Sequence, residues 1–168
     1  MNSYGITKYN PKYRNPDNIY TNDEWTSICD VGTNYHGQPF TMAEYLRIEK
    51  NYISCVAEIL GKCGIKRVRA TDLEKNTNEL EWYSWKDIRI DQLFTVMSSC
   101  LRDESWCRIK GNHCFVHFGY DYYMYVGCKM EFPEVKEIAE KYQLYAEEFT
   151  SPYLSKVQKI LIKFKTFI

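Results

Sequence analysis

The sequence predicts an α+β fold: a single domain in which an antiparallel β-meander, at about residues 105–128, packs with three to four helices. Three observations lead to this prediction. The length of 168 residues suits one domain. Apolar residues alternate with polar ones through 105–128, and they recur at helical spacing after residue 41. The composition, 45% hydrophobic and 26% charged, is that of an ordinary globular protein.

The first helix is predicted from a start signal and an apolar face. Thr41 and Glu44 have the spacing of a capping box, in which each side chain satisfies a backbone donor of the first turn. Gly61 or Gly64 provides the end. The predicted buried face comprises Tyr45, Leu46, Tyr52, Ile53, Val56, Ile59 and Leu60.

The remaining elements follow from shorter patterns. Residues 65–71 predict a strand, and residues 76–85 a loop or a weak strand. Asp87 is expected to cap a second helix, and Pro133 to lie in the first turn of a third. The C-terminal stretch 157–168 fits both a helical and an alternating period, and we predict a helix. The apolar residues of the second helix are Ile90, Leu93, Phe94, Met97, Cys100 and Leu101, and those of the third are Val135, Ile138, Ala139 and Tyr142.

Residues 1–23 are rich in Asn, Tyr, Pro and Lys and show no period. We therefore expect an irregular N-terminal arm over residues 1–23, followed by the α+β domain over residues 24–168.

The meander is the most informative segment. Gly111-Asn112 predicts one hairpin turn and Gly119-Tyr120-Asp121 a second. These turns pair Ile109 with Cys114 and Val116 with Met124, and both registers place the same apolar set on one face.

The opposite face of the meander contains aromatic, basic and imidazole side chains and no acid. It comprises Trp106, Arg108, Lys110, His113, Phe115, His117, Tyr123 and Tyr125. Either a helix or the N-terminal arm covers part of this face, or the face is exposed for a partner. A single-stranded nucleic acid is one such partner, with bases stacked on the rings, through Trp106, Arg108, Lys110, Phe115, His117 and Tyr125. The net charge of zero argues against it, because proteins that bind phosphate backbones are usually basic.

No arrangement for catalysis or for a cofactor is recognisable. His113 and His117 on one strand face would lie about 13 Å apart, too far to share a metal ion. The seven cysteines are scattered and odd in number, which predicts reduced thiols and a cytoplasmic location. No phosphate-binding loop or membrane-spanning stretch is present. We expect a binding protein, not an enzyme, with no metal, cofactor, membrane or nucleic-acid partner.

Three segments point to a family. EWTSICDVG (24–32), FTMAEYLRIEKNYI (40–53) and FVHFGYDYYMYVG (115–127) resemble segments of small bacterial immunity proteins that protect cells from polymorphic toxins, including contact-dependent growth inhibition toxins. The resemblance implies a protein, monomeric or weakly dimeric, that binds its cognate toxin domain non-covalently. The toxin is usually a nuclease. Contact residues in such proteins vary with the toxin, so none is assigned by position.

Two candidate toxin-binding surfaces follow from charge and aromatic content. Acidic groups complement a basic toxin, and aromatic rings provide anchors. The first surface, the third helix with its flanks, comprises Glu131, Glu134, Glu137, Glu140, Glu147 and Glu148. The second, at the tip of the second hairpin, comprises Tyr120, Asp121, Tyr122 and Tyr123.

Overall fold

A computed structural model of the protein describes residues 1–75 and 87–157. Along the chain the elements are β1 (Asn2–Thr7), β2 (Asn34–Tyr35), β3 (Gln38–Pro39), α1 (Met42–Lys62), β4 (Arg67–Lys75), β5 (Ile88–Arg89), α2 (Leu93–Leu101), β6 (Ser105–Gly111), β7 (Cys114–Phe118), β8 (Met124–Cys128), α3 (Phe132–Lys141) and β9 (Tyr145–Glu148). The prediction of a loop or weak strand at 76–85 and that of a helix beyond Val157 lie outside the described residues.

Within those residues, seven strands form one antiparallel sheet in the order β5-β4-β6-β7-β8-β1-β9, and β2 and β3 form a separate hairpin. The predicted meander, β6-β7-β8, is the centre of the sheet. The three helices lie on one of its faces, where α1 contacts both α2 and α3. The predicted α+β class is confirmed.

Both hairpin registers differ from the prediction by two residues. Ile109 pairs with Val116 rather than Cys114, and Val116 pairs with Val126 rather than Met124. Each turn lies one residue further along the chain, so the first is centred on Asn112-His113. A shift of two preserves the side-chain parity of a strand. The predicted inner face is therefore the buried one.

The N-terminal arm departs from expectation. Residues 2–7 form β1, which pairs with β8 on one side and β9 on the other, so the prediction of an irregular arm is wrong for them. Only Tyr4 and Ile6 alternate as apolar residues in this strand, too few for a period to be recognised. Residues 8–23 do lack a regular strand, apart from a bridge between Arg14 and Tyr20.

A buried ion pair closes this arm. Lys8 Nζ lies 2.5 Å from a carboxylate oxygen of Glu24 and about 4 Å from the ring centroids of Tyr9 and Trp25. Burial lowers the pKa of Lys8, and the bond to Glu24 opposes this effect. The Tyr20 hydroxyl also donates to Glu24. Residues 8–25 are thereby fixed as a loop against the core.

The helix predictions hold with corrections at Leu46, Asp87, Ile90 and Phe94. The Thr41 hydroxyl accepts from the Glu44 backbone at 3.2 Å, and the predicted α1 face is buried except for Leu46. Asp87 does not cap α2; its carboxylate binds the Arg67 guanidinium at 2.5–2.6 Å. Strand β5 and a 3-10 turn at Ile90–Gln92 lie between Asp87 and the start of α2. In α2, Phe94 is exposed. Pro133 occupies the first turn of α3 as predicted.

The second face of the sheet is covered mainly by residues 149–157. Phe149 stacks on Tyr125 with ring centroids 5.5 Å apart, and Tyr153 contacts the rings of Trp106 and His117. The N-terminal arm adds Tyr9, which packs against Tyr123. Of the two expected covers, the arm contributes at one end, and elsewhere the cover is a segment that contains a turn at residues 152–154. As a result every residue of β7 is buried.

Close packing on this second face predicts a strong effect of a single methyl group. Phe115 lies directly across from Gly127, and a Cβ added to Gly127 would be 2.1 Å from the Phe115 ring. Gly127→Ala should therefore lower the free energy of unfolding by about 1–3 kcal/mol, measured by urea denaturation.

Gly61→Ala is the matched control, because this α1 position has open space around it. It should leave stability unchanged or raise it by up to about 1 kcal/mol. Equal stabilities of Gly127→Ala and the parent would contradict the packing described.

Candidate functional site

The tip of the second hairpin projects one ring into solvent. The Tyr123 backbone N–H donates to the Tyr120 carbonyl at 3.0 Å, which closes a four-residue turn. Its central residues, Asp121 and Tyr122, have φ of +53° and +62°, the pattern of a type I′ turn. Tyr120 is 88% exposed, the most exposed large hydrophobic side chain in the described chain.

The other two rings of the predicted tip surface face inward. Tyr122 is buried, and its ring meets those of Trp25, Tyr45 and Tyr52 at centroid distances of 5.1–6.0 Å. A bulky residue in the left-handed region is strained, and burial of this ring offsets the strain. Tyr123 is half-buried against Tyr9. Of the four predicted tip residues, only Tyr120 and Asp121 are available to a partner.

A cleft of about 360 Å³ opens beside Tyr120. Its walls include the rings of Trp106, Tyr120 and Tyr153 and the carboxylates of Glu74 and Asp103. Glu74 is the cross-strand partner of Trp106, beyond an irregularity in β4. The Trp106 indole N–H donates to the Phe118 carbonyl at 3.0 Å, which fixes the orientation of that ring.

The electrostatics of this cleft favour a positively charged guest. Burial raises the pKa of Asp103, and the negative charge of Asp121 raises it further. No Lys or Arg is among the described residues that line the cleft. Aromatic faces and carboxylates together bind ammonium and guanidinium groups. The arrangement therefore suits a Lys or Arg side chain of another protein.

Sequence reasoning located Tyr120 and Asp121 but missed Glu74, Asp103 and Tyr153 as members of this site. Asp103 lies in the short link between α2 and β6, and Tyr153 belongs to a segment with no recognised pattern. Their proximity depends on the pairing of β4 with β6 and on the course of residues 149–157. No local signal in the sequence indicates either.

The acidic surface around α3 is exposed but carries no anchor. Glu131, Glu134, Glu137, Glu140 and Glu148 are exposed. Glu134 accepts the Glu131 backbone N–H at 3.1 Å as part of the helix cap. Glu147 is paired with Arg14 at 2.5–2.7 Å, which neutralises it. The hairpin tip precedes β8 and α3 follows it, so the two candidate surfaces begin at opposite ends of that strand.

The predicted nucleic-acid face is occupied by the protein itself. Phe115 and His117 are buried and stacked on each other, with ring centroids 4.4 Å apart. Trp106 and Tyr125 are half-buried against Tyr153. The cations on this face, Arg108 and Lys110, both lie 3.5–3.6 Å from the Asp72 carboxylate. The rings that a stacking platform would present to bases are therefore covered in this conformation.

His117 links the sheet to its cover. Its Nδ1 lies 2.8 Å from the Ser151 hydroxyl, and the Ser151 backbone N–H donates to the Ser3 hydroxyl at 3.1 Å. Burial lowers the pKa of His117 to about 4, with smaller contributions from the positive charges of Arg108 and Lys110 and opposition from Asp72. The imidazole is thus neutral at physiological pH.

The described part of the chain contains no metal-binding cluster, disulfide or membrane-spanning helix. Residues 1–75 and 87–157 contain no group of three or more His, Cys, Asp or Glu side chains that could hold a metal ion. All seven cysteines are free thiols. None of the helices in these ranges has the length and apolar character needed to cross a bilayer.

The buried His117 predicts a specific dependence of stability on pH. Its pKa is about 4 in the folded protein against 6.5 in the unfolded chain, so the unfolded state binds more protons between these values. The free energy of unfolding should fall by up to about 3 kcal/mol as pH drops from about 6.5 to about 4. Urea denaturation at a series of pH values measures this slope.

In His117→Phe this part of the slope should disappear. His113→Gln is the matched control, because His113 is exposed in the turn before β7 and keeps its hydration on folding. An unchanged slope in His117→Phe would contradict the assignment.

Comparisons with protein-family models, with curated proteins and with solved structures found no match to this chain.

Proposed function

We propose that this protein is an immunity protein of the cytoplasm, which binds and neutralises a cognate bacterial toxin domain, a nuclease with a basic surface, by non-covalent contact. The resemblance of residues 24–32, 40–53 and 115–127 to such proteins supports the proposal. The observation that carries it is the hairpin tip, where the 88% exposed Tyr120 stands beside an acidic, aromatic-walled cleft.

This arrangement has the properties of an interface anchor. Tight protein interfaces depend on a few aromatic or Arg residues that become fully desolvated in the complex. Tyr120 offers such a ring at low entropic cost, because its backbone is held by the turn hydrogen bonds at 2.7 and 3.0 Å. The cleft beside it receives a Lys or Arg of the toxin along the wall that the Trp106 and Tyr153 rings form together. A guanidinium there meets the carboxylates of Glu74 and Asp103.

The acidic surface of α3 has a different role in this proposal. Exposed carboxylates interact with a basic partner over a distance, which accelerates encounter but adds little to the lifetime of the complex. Glu134, Glu137 and Glu140 therefore steer the toxin, and the tip holds it. Occlusion of the toxin's nucleic-acid-binding surface by the bound protein inhibits it without any covalent change.

Nucleic-acid binding is the alternative hypothesis from the sequence. It requires the rings of Phe115 and Tyr125 to meet bases, and residues 149–157 lie over that face. Displacing these residues would break the hydrogen bonds that join Ser151 to His117 and Ser3. The geometry therefore favours the protein partner.

The test is the complex with the toxic domain encoded beside this protein. Co-expression should protect the cell and yield a stoichiometric complex with an unmodified toxin. Tyr120→Ala should raise the dissociation rate by about 30-fold or more, the effect of losing a central anchor worth about 2 kcal/mol. Glu134, Glu137 and Glu140 changed together to Lys should mainly slow association at low salt. Surface plasmon resonance over a salt series separates the two effects.

Tyr13→Ala is the matched control for the tip, since Tyr13 is also exposed but lies in the N-terminal arm. It should leave both rates unchanged. Protection at strongly substoichiometric amounts of this protein would indicate an enzyme and refute the proposal. Retention of single-stranded RNA, abolished by Arg108→Ala and Phe115→Ala, would favour the alternative.

A further inference from the structure

Two buried sulfur atoms lie in contact beneath the cleft. The Sγ atoms of Cys100 and Cys107 are 3.6 Å apart, and the Ser105 hydroxyl lies 3.7 Å from Cys100 Sγ. The sequence predicts Cys100 only as an apolar residue of the second helix. A van der Waals contact between two thiols is also the starting geometry for a disulfide, whose sulfur atoms are about 2.05 Å apart.

The local fold produces this contact. Cys100 lies in the last turn of α2, and Cys107 is the third residue of β6. Between them the chain reverses through Asp103, whose φ of +58° is in the left-handed region. The end of the helix is thereby folded back onto the strand. The Ser99 and Ser105 hydroxyls, 3.0 Å apart, join the same two elements.

The two thiols differ in access. Cys100 lines the cleft beside Tyr120 and is 6% exposed, whereas Cys107 is fully buried behind it. A small reagent in the cleft therefore meets Cys100 first. The hydrogen bond from the Cys107 thiol holds the pKa of Cys100 below its usual value, and the same contact raises the pKa of Cys107. The contact between the two sulfurs thus favours the thiolate on the accessible one, and the thiolate is the form that reacts with oxidants.

We propose that Cys100 and Cys107 form a peroxide-oxidisable dithiol site, in which Cys100 reacts first and Cys107 resolves. The Cys100 thiolate attacks one oxygen of hydrogen peroxide, the O–O bond breaks, and hydroxide leaves, giving a sulfenic acid. The Cys107 sulfur then attacks Cys100 Sγ, the S–O bond breaks, and its oxygen leaves as water with the Cys107 proton. The two thiols are thereby oxidised to one disulfide, and one hydrogen peroxide is reduced to hydroxide and water.

Other thiols of the chain provide internal comparisons. Cys29 is exposed and lies in a 3-10 turn, and its reaction with peroxide would obscure the result. Cys55 is fully buried in α1, and burial raises its pKa to about 12. Cys29→Ser therefore serves as the parent for all variants, and Cys55 as a thiol expected to stay reduced.

The experiment treats the folded Cys29→Ser protein with hydrogen peroxide, blocks the remaining thiols under denaturing conditions, and maps the peptides by mass spectrometry. A disulfide between Cys100 and Cys107 should form, reversible by dithiothreitol. With Cys107→Ala and dimedone present, the sulfenic acid should be trapped on Cys100. With Cys100→Ala, labelling of Cys107 should fall at least tenfold, because that sulfur is fully buried.

Circular dichroism and urea denaturation establish that each variant is folded. If either alanine variant does not fold, Cys100→Ser and Cys107→Ser replace it with a smaller loss of volume. The proposal is overturned if the 100–107 disulfide does not form, or if peroxide oxidises Cys107 when Cys100 is absent. It is also overturned if the main disulfide involves any other cysteine. The experiment uses the isolated chain, so its outcome is independent of toxin binding.

Discussion

The hydrogen bonds that join His117, Ser151 and Ser3 hold the second face of the sheet closed, and much of the structure depends on them. They connect the central strand β7, the N-terminal strand β1 and residues 149–157. An antiparallel sheet with helices on one face commonly leaves its other face to solvent. Here residues 149–157 cover part of that face, and His117, Ser151 and Ser3 satisfy each other's polar groups in the interior. The segment packs on Tyr125 through Phe149 and on Trp106 through Tyr153.

Aromatic packing connects the core with the candidate site. Fifteen tyrosines are an unusual number for 168 residues, and many of them lie in the interior. Tyr122 is the pivotal one. Its ring fills a space bounded by Trp25, Tyr45 and Tyr52, and Tyr52 also donates to the Tyr122 carbonyl at 2.8 Å. Because this residue is anchored on both its side chain and its backbone, the turn that it helps to form is rigid. Tyr120 is therefore displayed from a fixed base.

The sequence predicts those parts of the fold that depend on local periodicity. The inner face of β6-β7-β8 was identified correctly although both registers were shifted, because parity survives a shift of two residues. The start of α1 follows from the spacing of Thr41 and Glu44, and Thr41 is the residue that caps it. In contrast, β1 is recognisable only through partners more than a hundred residues away, and nothing local distinguishes it from an irregular arm. Residues 149–157 likewise have no local pattern, and their position depends on the rings of the sheet on which they pack.

The same limit applies to the candidate site. Tyr120 and Asp121 stood out because an acidic residue and a cluster of rings coincide at a predicted hairpin tip. Glu74, Asp103 and Tyr153 come from three separate parts of the chain and are brought together only by tertiary pairing. The contact between Cys100 and Cys107 depends on a reversal through Asp103 that neither an apolar nor a charged pattern reveals. Sequence periodicity therefore cannot predict a site assembled from distant segments, although it predicts part of the sheet and helices that bring those segments together.

The position of β1 between β8 and β9 has a consequence for biosynthesis. Asn2 donates to the carbonyl of Met130, and the Ser3 hydroxyl donates to the carbonyl of Phe149. Because these partners lie more than 120 residues further along the chain, β1 leaves the ribosome long before them. Contacts of such sequence separation slow folding, because a long loop must close before they form. Until β8 and β9 are synthesised, the backbone groups of β1 lack their strand partners, and its two apolar side chains remain unburied. The sheet can be completed only after β9 has been synthesised, and a nascent chain stalled before residue 124 cannot reach the native arrangement.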